Sequence, residues 1–226
     1  SDFIYLIIYY VAGYRKEMVR HNLAIALPHL TEKERLVIER KFYHHLCDMF
    51  LEMIKTMSIS STEMEKRFRI TNIEAIKEYE KKGRSVILLV SHYASWEWLL
   101  SINSRILFKG IGVYKKINNP YFDKLVRKIR AKYDAELVTT SDTIPFIAKN
   151  EAKGVLCMYG LASDQSPKIN RAFHWQKFMG IEVPVHTGAE MLAKKYDLDV
   201  LFVDVKKIRR GFYEATFNTI AENVTE

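Results

Sequence analysis

Val86-Ile-Leu-Leu-Val-Ser-His92-Tyr-Ala-Ser-Trp-Glu97-Trp-Leu-Leu100 runs from a wholly aliphatic stretch into a histidine and then into an apolar, helix-patterned segment. Five aliphatic residues in succession read as a strand buried on both faces, the kind found in α/β sheets. In open sheets of that class, ligands bind at the carboxyl ends of the strands, and His92 falls there. A histidine and a glutamate five positions apart lie about 140° apart around an ideal helix, and on a strand they point to opposite sides. They meet only across a bend. With His92 in the turn and Ser95 capping the next helix, Glu97 enters the first helical turn. There the helix dipole favours its carboxylate, which can swing back to the imidazole. His92 then reads as a general base and Glu97 as its orienting acid. The plainer alternative is a satisfied histidine near a helix start and an ordinary N-terminal acid, because so short a spacing has many chance matches.

Outward from this stretch, short β-rich runs alternate with helical patterns: Val86 to Val90, Gly112 to Lys115, Glu136 to Thr139, Val155 to Tyr159 and Val200 to Val205. That rhythm means α/β. The turn Arg209-Arg-Gly211 leads into Phe212 to Ile220, an alternating run expected to form an antiparallel edge strand, so the sheet is mixed and flanked by helices. Residues 1–60 read as a helical, membrane-associated N-terminal segment and residues 61–226 as the α/β core. Thr31-Glu-Lys-Glu34 forms a capping box before a long amphipathic helix. His44 and Asp48 on that helix share a face, but an exposed or partly packed helix face accounts for them better than a metal site does.

The chain has 226 residues with a 48% hydrophobic content, enough for one sizeable core. Cys47 and Cys157 form neither a disulfide framework nor a C-x-x-C site, which suits a reducing compartment. A net charge of +8 favours acidic partners: nucleic acid, anionic lipid head groups, or a phosphorylated substrate or carrier. The absence of zinc-finger spacing, RNA-binding signatures and long basic tails argues against nucleic acid. Phe3 to Ala12 is an apolar run of about 15 Å as helix, half of a hydrocarbon core. Arg15, Lys16 and Arg20 follow it, the flank expected on the cytoplasmic side of a membrane helix. The run reads as the end of a longer segment; the other reading is an amphipathic helix with its tyrosines in the core.

Two further regions carry polar chemistry. Tyr121 to Tyr133 places Phe122, Leu125, Val126, Ile129 and Tyr133 at helical spacing, with cations between them. Residues 115–132 hold seven bases, Lys115, Lys116, Lys124, Arg127, Lys128, Arg130 and Lys132, and one acid, Asp123. This is either a solvated face or a site for phosphate groups, which arginine binds bidentately. Gly160 to His186 reads as a long loop, and its aromatic residues argue for function over disorder. Asp164 and Gln165 follow a strand as His92 does and can reach the same cleft; a turn role for Asp164 is nearly as good a reading.

The ordered set Tyr14-Arg-Lys-Glu-Met-Val-Arg-His-Asn-Leu23, Pro28-His-Leu-Thr-Glu-Lys-Glu-Arg35, Ser91-His-Tyr-Ala-Ser-Trp-Glu97, Asn118-Asn-Pro-Tyr-Phe-Asp123 and Ser163-Asp-Gln-Ser-Pro167 resembles the bacterial lipid A late acyltransferases, with their H-x4-D/E motif. The resemblance implies a glycerolipid-acyltransferase-like core, an N-terminal inner-membrane helix and catalysis at the cytoplasmic face. A fatty acyl group would pass from an acyl carrier protein or coenzyme A thioester to a hydroxyl of a lipid A precursor. His92 and Glu97 would be catalytic; Lys115, Asn119, Arg127, Arg130, Asp164 and Gln165 would contact substrate, with a basic residue near Arg127 or Arg130 stabilising the substrate or the oxyanion. Basic residues that many members carry near Thr143 to Phe146 and at Ile181 are absent here. Members also continue past the final strand, so sequence is expected to be missing at both ends. A thioester is already activated, so the reaction needs only alcohol deprotonation and oxyanion stabilisation, with no metal, cofactor or nucleophilic serine. Indeed G-x-S-x-G, H-E-x-x-H and GxGxxG are all absent from the sequence. The motif sets the reaction and leaves the acceptor open. Other membrane lipids such as an aminolipid, thioester hydrolysis, and a non-catalytic basic membrane-binding role are the competing readings.

Overall fold

The computed structural model describes residues 1–224, so Thr225 and Glu226, the last two assigned to the core, lie outside the described residues. The chain opens with helices: α1 (Asp2–Leu6), continued by a π-helical turn over Ile7–Ala12, then α2 (Lys16–Ala26) and α3 (Glu32–Lys55). The capping box forms as expected, with the Thr31 hydroxyl accepting the Glu34 N–H at 3.3 Å and the Glu34 carboxylate accepting the Thr31 N–H at 2.7 Å. Tyr5 and Tyr9 bury against Tyr43 and Cys47 of α3, whereas Phe3, Tyr10 and Val11 face outward. Among the described residues no helix is long and apolar enough to cross a membrane. His44 stacks on Tyr5 and Asp48 binds Arg210, so this pair on α3 has separate partners.

After α4 (Ser61–Arg67), β1 (Phe68–Ile70) and α5 (Ile73–Lys82), the chain enters β2 (Val86–Val90) and a 3-10 helix over Trp96–Arg105. Then follow β3 (Lys109–Tyr114), α6 (Pro120–Arg130), β4 (Glu136–Thr139), α7 (Thr143–Ala152) and β5 (Cys157–Ala162). The last stretch holds β6 (His174–Phe178), β7 (Ile181–Val185), α8 (Gly188–Tyr196), β8 (Asp199–Arg209) and β9 (Phe212–Ala221).

Seven strands form one mixed sheet in the order β1-β9-β8-β2-β5-β3-β4. Every neighbouring pair is parallel except β8 and β9, which form an antiparallel hairpin through Gly211 at φ +72°. β9 is therefore antiparallel as expected but is not the edge, because the three-residue β1 pairs alongside it. Helices cover both faces. Val86, Leu88 and Val90 of β2 point into a core with Trp98, Phe68, Ile76 and Tyr79, and Ile87 and Leu89 point into one with Tyr159, Ile147 and Leu192. This two-sided burial is why β2 reads as an unbroken aliphatic run.

The expected long loop after β5 is mostly ordered structure. A 3-10 turn at Ile169–Arg171 precedes the separate antiparallel hairpin β6–β7. Its two-residue turn is Met179-Gly180, both at positive φ, the type I′ geometry that matches strand twist.

Candidate active site

β2 and β5 are adjacent parallel strands in which Val90 stands beside Ala162. His92 and Asp164 each lie two residues beyond that pair, so the register delivers both to one point at the carboxyl edge. The Asp164 Oδ2 accepts the His92 backbone N–H at 2.7 Å, and Oδ1 lies 2.8 Å from Nδ1. Burial raises the Asp164 carboxyl, but hydrogen bonds from the His92 ring and backbone N–H prevail and hold it below the ordinary value. An ionised carboxylate only accepts, so Nδ1 carries the proton and Nε2 presents its lone pair. Gln165 Nε2 stands 3.5 Å from Nδ1, at the margin of hydrogen-bond reach.

Glu97 does not pair with His92. Ala94, at φ +54°, bends the chain between them. Ser95 gives no side-chain cap, and the segment enters as a 3-10 helix that turns Glu97 inward. There Arg130 grips it with both arms of the guanidinium, Nε to Oε2 at 2.9 Å and Nη2 to Oε1 at 2.5 Å. Both side chains are nearly buried, 10% and 14% exposed. The planar fork of arginine matches a carboxylate in a way one imidazole N–H does not. The pairing engages Nε and Nη2 of Arg130 and sets the guanidinium against Glu97.

Trp96 stands between the two pairs, a link absent from the sequence expectation. Its ring meets the His92 imidazole edge-on at 5.0 Å, and the Arg130 guanidinium lies 5.2 Å from its centroid. Beneath this layer Trp98 is wholly buried and donates from Nε1 to the Glu52 carbonyl and the Thr56 hydroxyl, both at 3.1 Å. Tyr213 donates to the buried Glu52 carboxylate at 3.0 Å. Burial raises the Glu52 pKa against the opposing hydroxyls of Ser95 and Tyr213. This polar layer fixes α3 under the helix that carries Glu97.

The basic segment divides by function. Lys115, Lys116, Lys124, Arg127 and Lys128 are exposed, with Arg127 also donating to the Tyr114 hydroxyl at 3.3 Å. Asn119 caps α6, its carbonyl oxygen accepting from Tyr121 and Phe122 N–H groups at 3.0 Å. Lys132 is exposed as well, but its ammonium donates to the carbonyls of Thr56 and Ile59 just past α3. Asp123, the lone acid, is buried and accepts the Ile117 N–H at 3.0 Å.

A family model described as bacterial lipid A biosynthesis acyltransferase matches residues 4–219. The chain belongs to that family. It is also similar to a lipid A biosynthesis acyltransferase of Haemophilus influenzae, at 25% identity over 131 residues. That match covers 57% of this chain and 40% of the relative, so the chain spans well under two thirds of the protein it matches. In this member of the lipid A biosynthesis acyltransferase family, the His92–Asp164 pair stands at the carboxyl edge of the central strands beside the Glu97–Arg130 pair.

Proposed function

We propose that this chain transfers a fatty acyl group from a thioester, on acyl carrier protein or coenzyme A, to a hydroxyl of a lipid A precursor at the cytoplasmic face of the inner membrane. The observation that carries this reading is the His92–Asp164 pair, with its basic nitrogen free at the carboxyl edge of the central strands. Nε2 takes the proton of the acceptor hydroxyl while Asp164 holds the imidazolium that forms. The oxygen attacks the thioester carbonyl, a C–O bond forms, and the tetrahedral oxyanion collapses with cleavage of the C–S bond. The proton passes from Nε2 to the departing thiolate, leaving ester and free thiol. Lys115 and Arg127 meet phosphate groups of the acceptor, and Asn119 fixes the start of the helix that bears them. Glu97 acts through Arg130, which lies over the Trp96 ring that meets His92, as a positioning residue.

The test is incubation of the purified protein with acyl-carrier-protein or acyl-CoA donors and a lipid A precursor, with the product weighed by mass spectrometry. Acylated precursor should form, and His92→Ala should slow its formation by about 10²-fold to 10⁴-fold. Turnover by His92→Ala at the wild-type rate would sink the mechanism. Acylation of an aminolipid in preference to the precursor would replace the acceptor and keep the chemistry.

A further inference from the structure

β2, β3, β4 and β5 are mutually parallel, so whatever follows each of them emerges from the same edge of the sheet. Four segments therefore share one rim with His92, and each exposes apolar surface: Tyr93 after β2, Tyr121 after β3, Ile144 after β4, and Phe173 to Met179 after β5. Soluble domains rarely leave so much apolar area in one place without a use for it. The β6–β7 hairpin is the extreme case. Phe173 is 84% exposed, Phe178 66% and Trp175 43%, and every residue of β6 is open to solvent. Phe178 and Met179 sit at its tip, the point farthest from the strands that anchor it.

The cations on this rim are as exposed as its aromatics. Lys115 and Lys116 follow β3, Lys124 lies on α6, and Lys168 and Arg171 precede the hairpin; among the described residues none of the five is in an ion pair. Glu182 is the one acid of the hairpin and stands directly opposite Lys177. Tryptophan, tyrosine and phenylalanine interleaved with lysine and arginine suit a boundary that is apolar on one side and negatively charged on the other.

We propose that this rim docks on the surface of an anionic lipid bilayer, with the hairpin tip and Phe173 entering the head-group layer and the exposed lysines meeting lipid phosphates. The proposal deepens the acyl-transfer reading, on which it rests for its purpose: a protein seated this way turns the edge that bears His92 toward the layer that holds a lipid acceptor.

Cys47 and Cys157 are both buried, so Met179→Cys in the full 226-residue chain can be labelled selectively with a polarity-sensitive dye. The probes are vesicles of phosphatidylcholine alone and of phosphatidylcholine with phosphatidylglycerol. Emission should shift to the blue with the anionic vesicles, less so at high salt, and hardly at all with the neutral ones. Phe173→Asp with Phe178→Asp should weaken vesicle binding about tenfold or more while leaving the melting temperature unchanged, because neither ring packs in the core. Flotation of the protein with anionic vesicles without any dye shift would overturn the proposal and assign binding to another surface. A blue shift that grows with protein concentration in the absence of lipid would overturn it in favour of a second copy of the chain. No acyl substrate is present, so protein that docks without transferring acyl groups refutes only the reaction, and protein that transfers without docking refutes only the rim.

Discussion

Asp164 holds His92 at two points, ring and backbone, so the imidazole cannot rotate away without also breaking a main-chain hydrogen bond. Replacing the carboxylate by an amide keeps the shape and can keep the backbone contact, but it no longer fixes the proton on Nδ1. Asp164→Asn should therefore lower kcat by about 10²-fold to 10⁴-fold with a small change in KM. Steady-state kinetics on the two proteins checks this, and equal kcat values would leave Asp164 a turn residue.

The same carboxylate sets a pH dependence of stability. Its folded pKa lies below the ordinary value despite the opposing effect of burial. A group lowered by folding stabilises above its unfolded pKa, near 4, and that stabilisation is lost as pH falls through the folded value. The wild-type protein should be more stable than Asp164→Asn at pH 6, with the gap closing as the pH falls below about 5. Urea unfolding across that range is the measurement; a gap that widens toward acid would contradict the assignment.

Glu97 and Arg130 should behave as a unit. Removing either partner leaves a nearly buried charge unmatched, so Glu97→Leu or Arg130→Met alone should cost about 3 kcal/mol. The double variant should lose clearly less than the sum of the two. A double-mutant cycle by chemical denaturation gives the coupling, and strict additivity would mean the pair is not energetically linked.

Trp96 touches both pairs, so its loss should be felt in turnover more than in stability. Trp96→Leu should lower kcat about tenfold, with Trp96→Phe recovering much of it, since one edge-on aromatic contact is worth about 1 kcal/mol. A change in KM alone would make Trp96 a substrate contact instead of a positioning residue.

Gly110 of β3 has no room for a side chain, because a Cβ there would lie 2.1 Å from the Asn103 side-chain oxygen. Gly110→Ala should cost about 1–3 kcal/mol, and adding Asn103→Ala should restore most of it. The Asn103 side-chain nitrogen is buried without a partner, so that second change also removes an unsatisfied donor. Thermal melts of the three proteins decide the matter.

The sequence carries the bend at His92 and the strands around it, because two-sided burial writes itself as an aliphatic run and the following histidine marks the end. It also carries Asp164 as a candidate, since both residues follow strands. It does not carry the pairing. Whether Glu97 or Asp164 reaches the imidazole depends on the register of β2 with β5 and on Arg130, 33 residues after Glu97 in the chain, and neither has a local signature. β1 is three residues long, too short for a period to register. The β6–β7 hairpin escapes for two reasons. Its turn uses Met179-Gly180 in place of the usual Asn-Gly or Asp-Gly, and β6, His-Trp-Gln-Lys-Phe, is open to solvent throughout and shows no regular alternation, while Pro184 interrupts β7.

β2 and β5 lie in the interior of the seven-strand order, each with a hydrogen-bonded neighbour on both sides, whereas the hairpin pairs only with itself. Amide exchange should accordingly be slowest in the two strands that lead to His92 and Asp164 and fastest in the β6–β7 hairpin, which begins ten residues after Asp164. The dyad is thus built into the part of the molecule that opens last, and the hairpin can loosen, insert and withdraw without disturbing the register that keeps a base beside its acid.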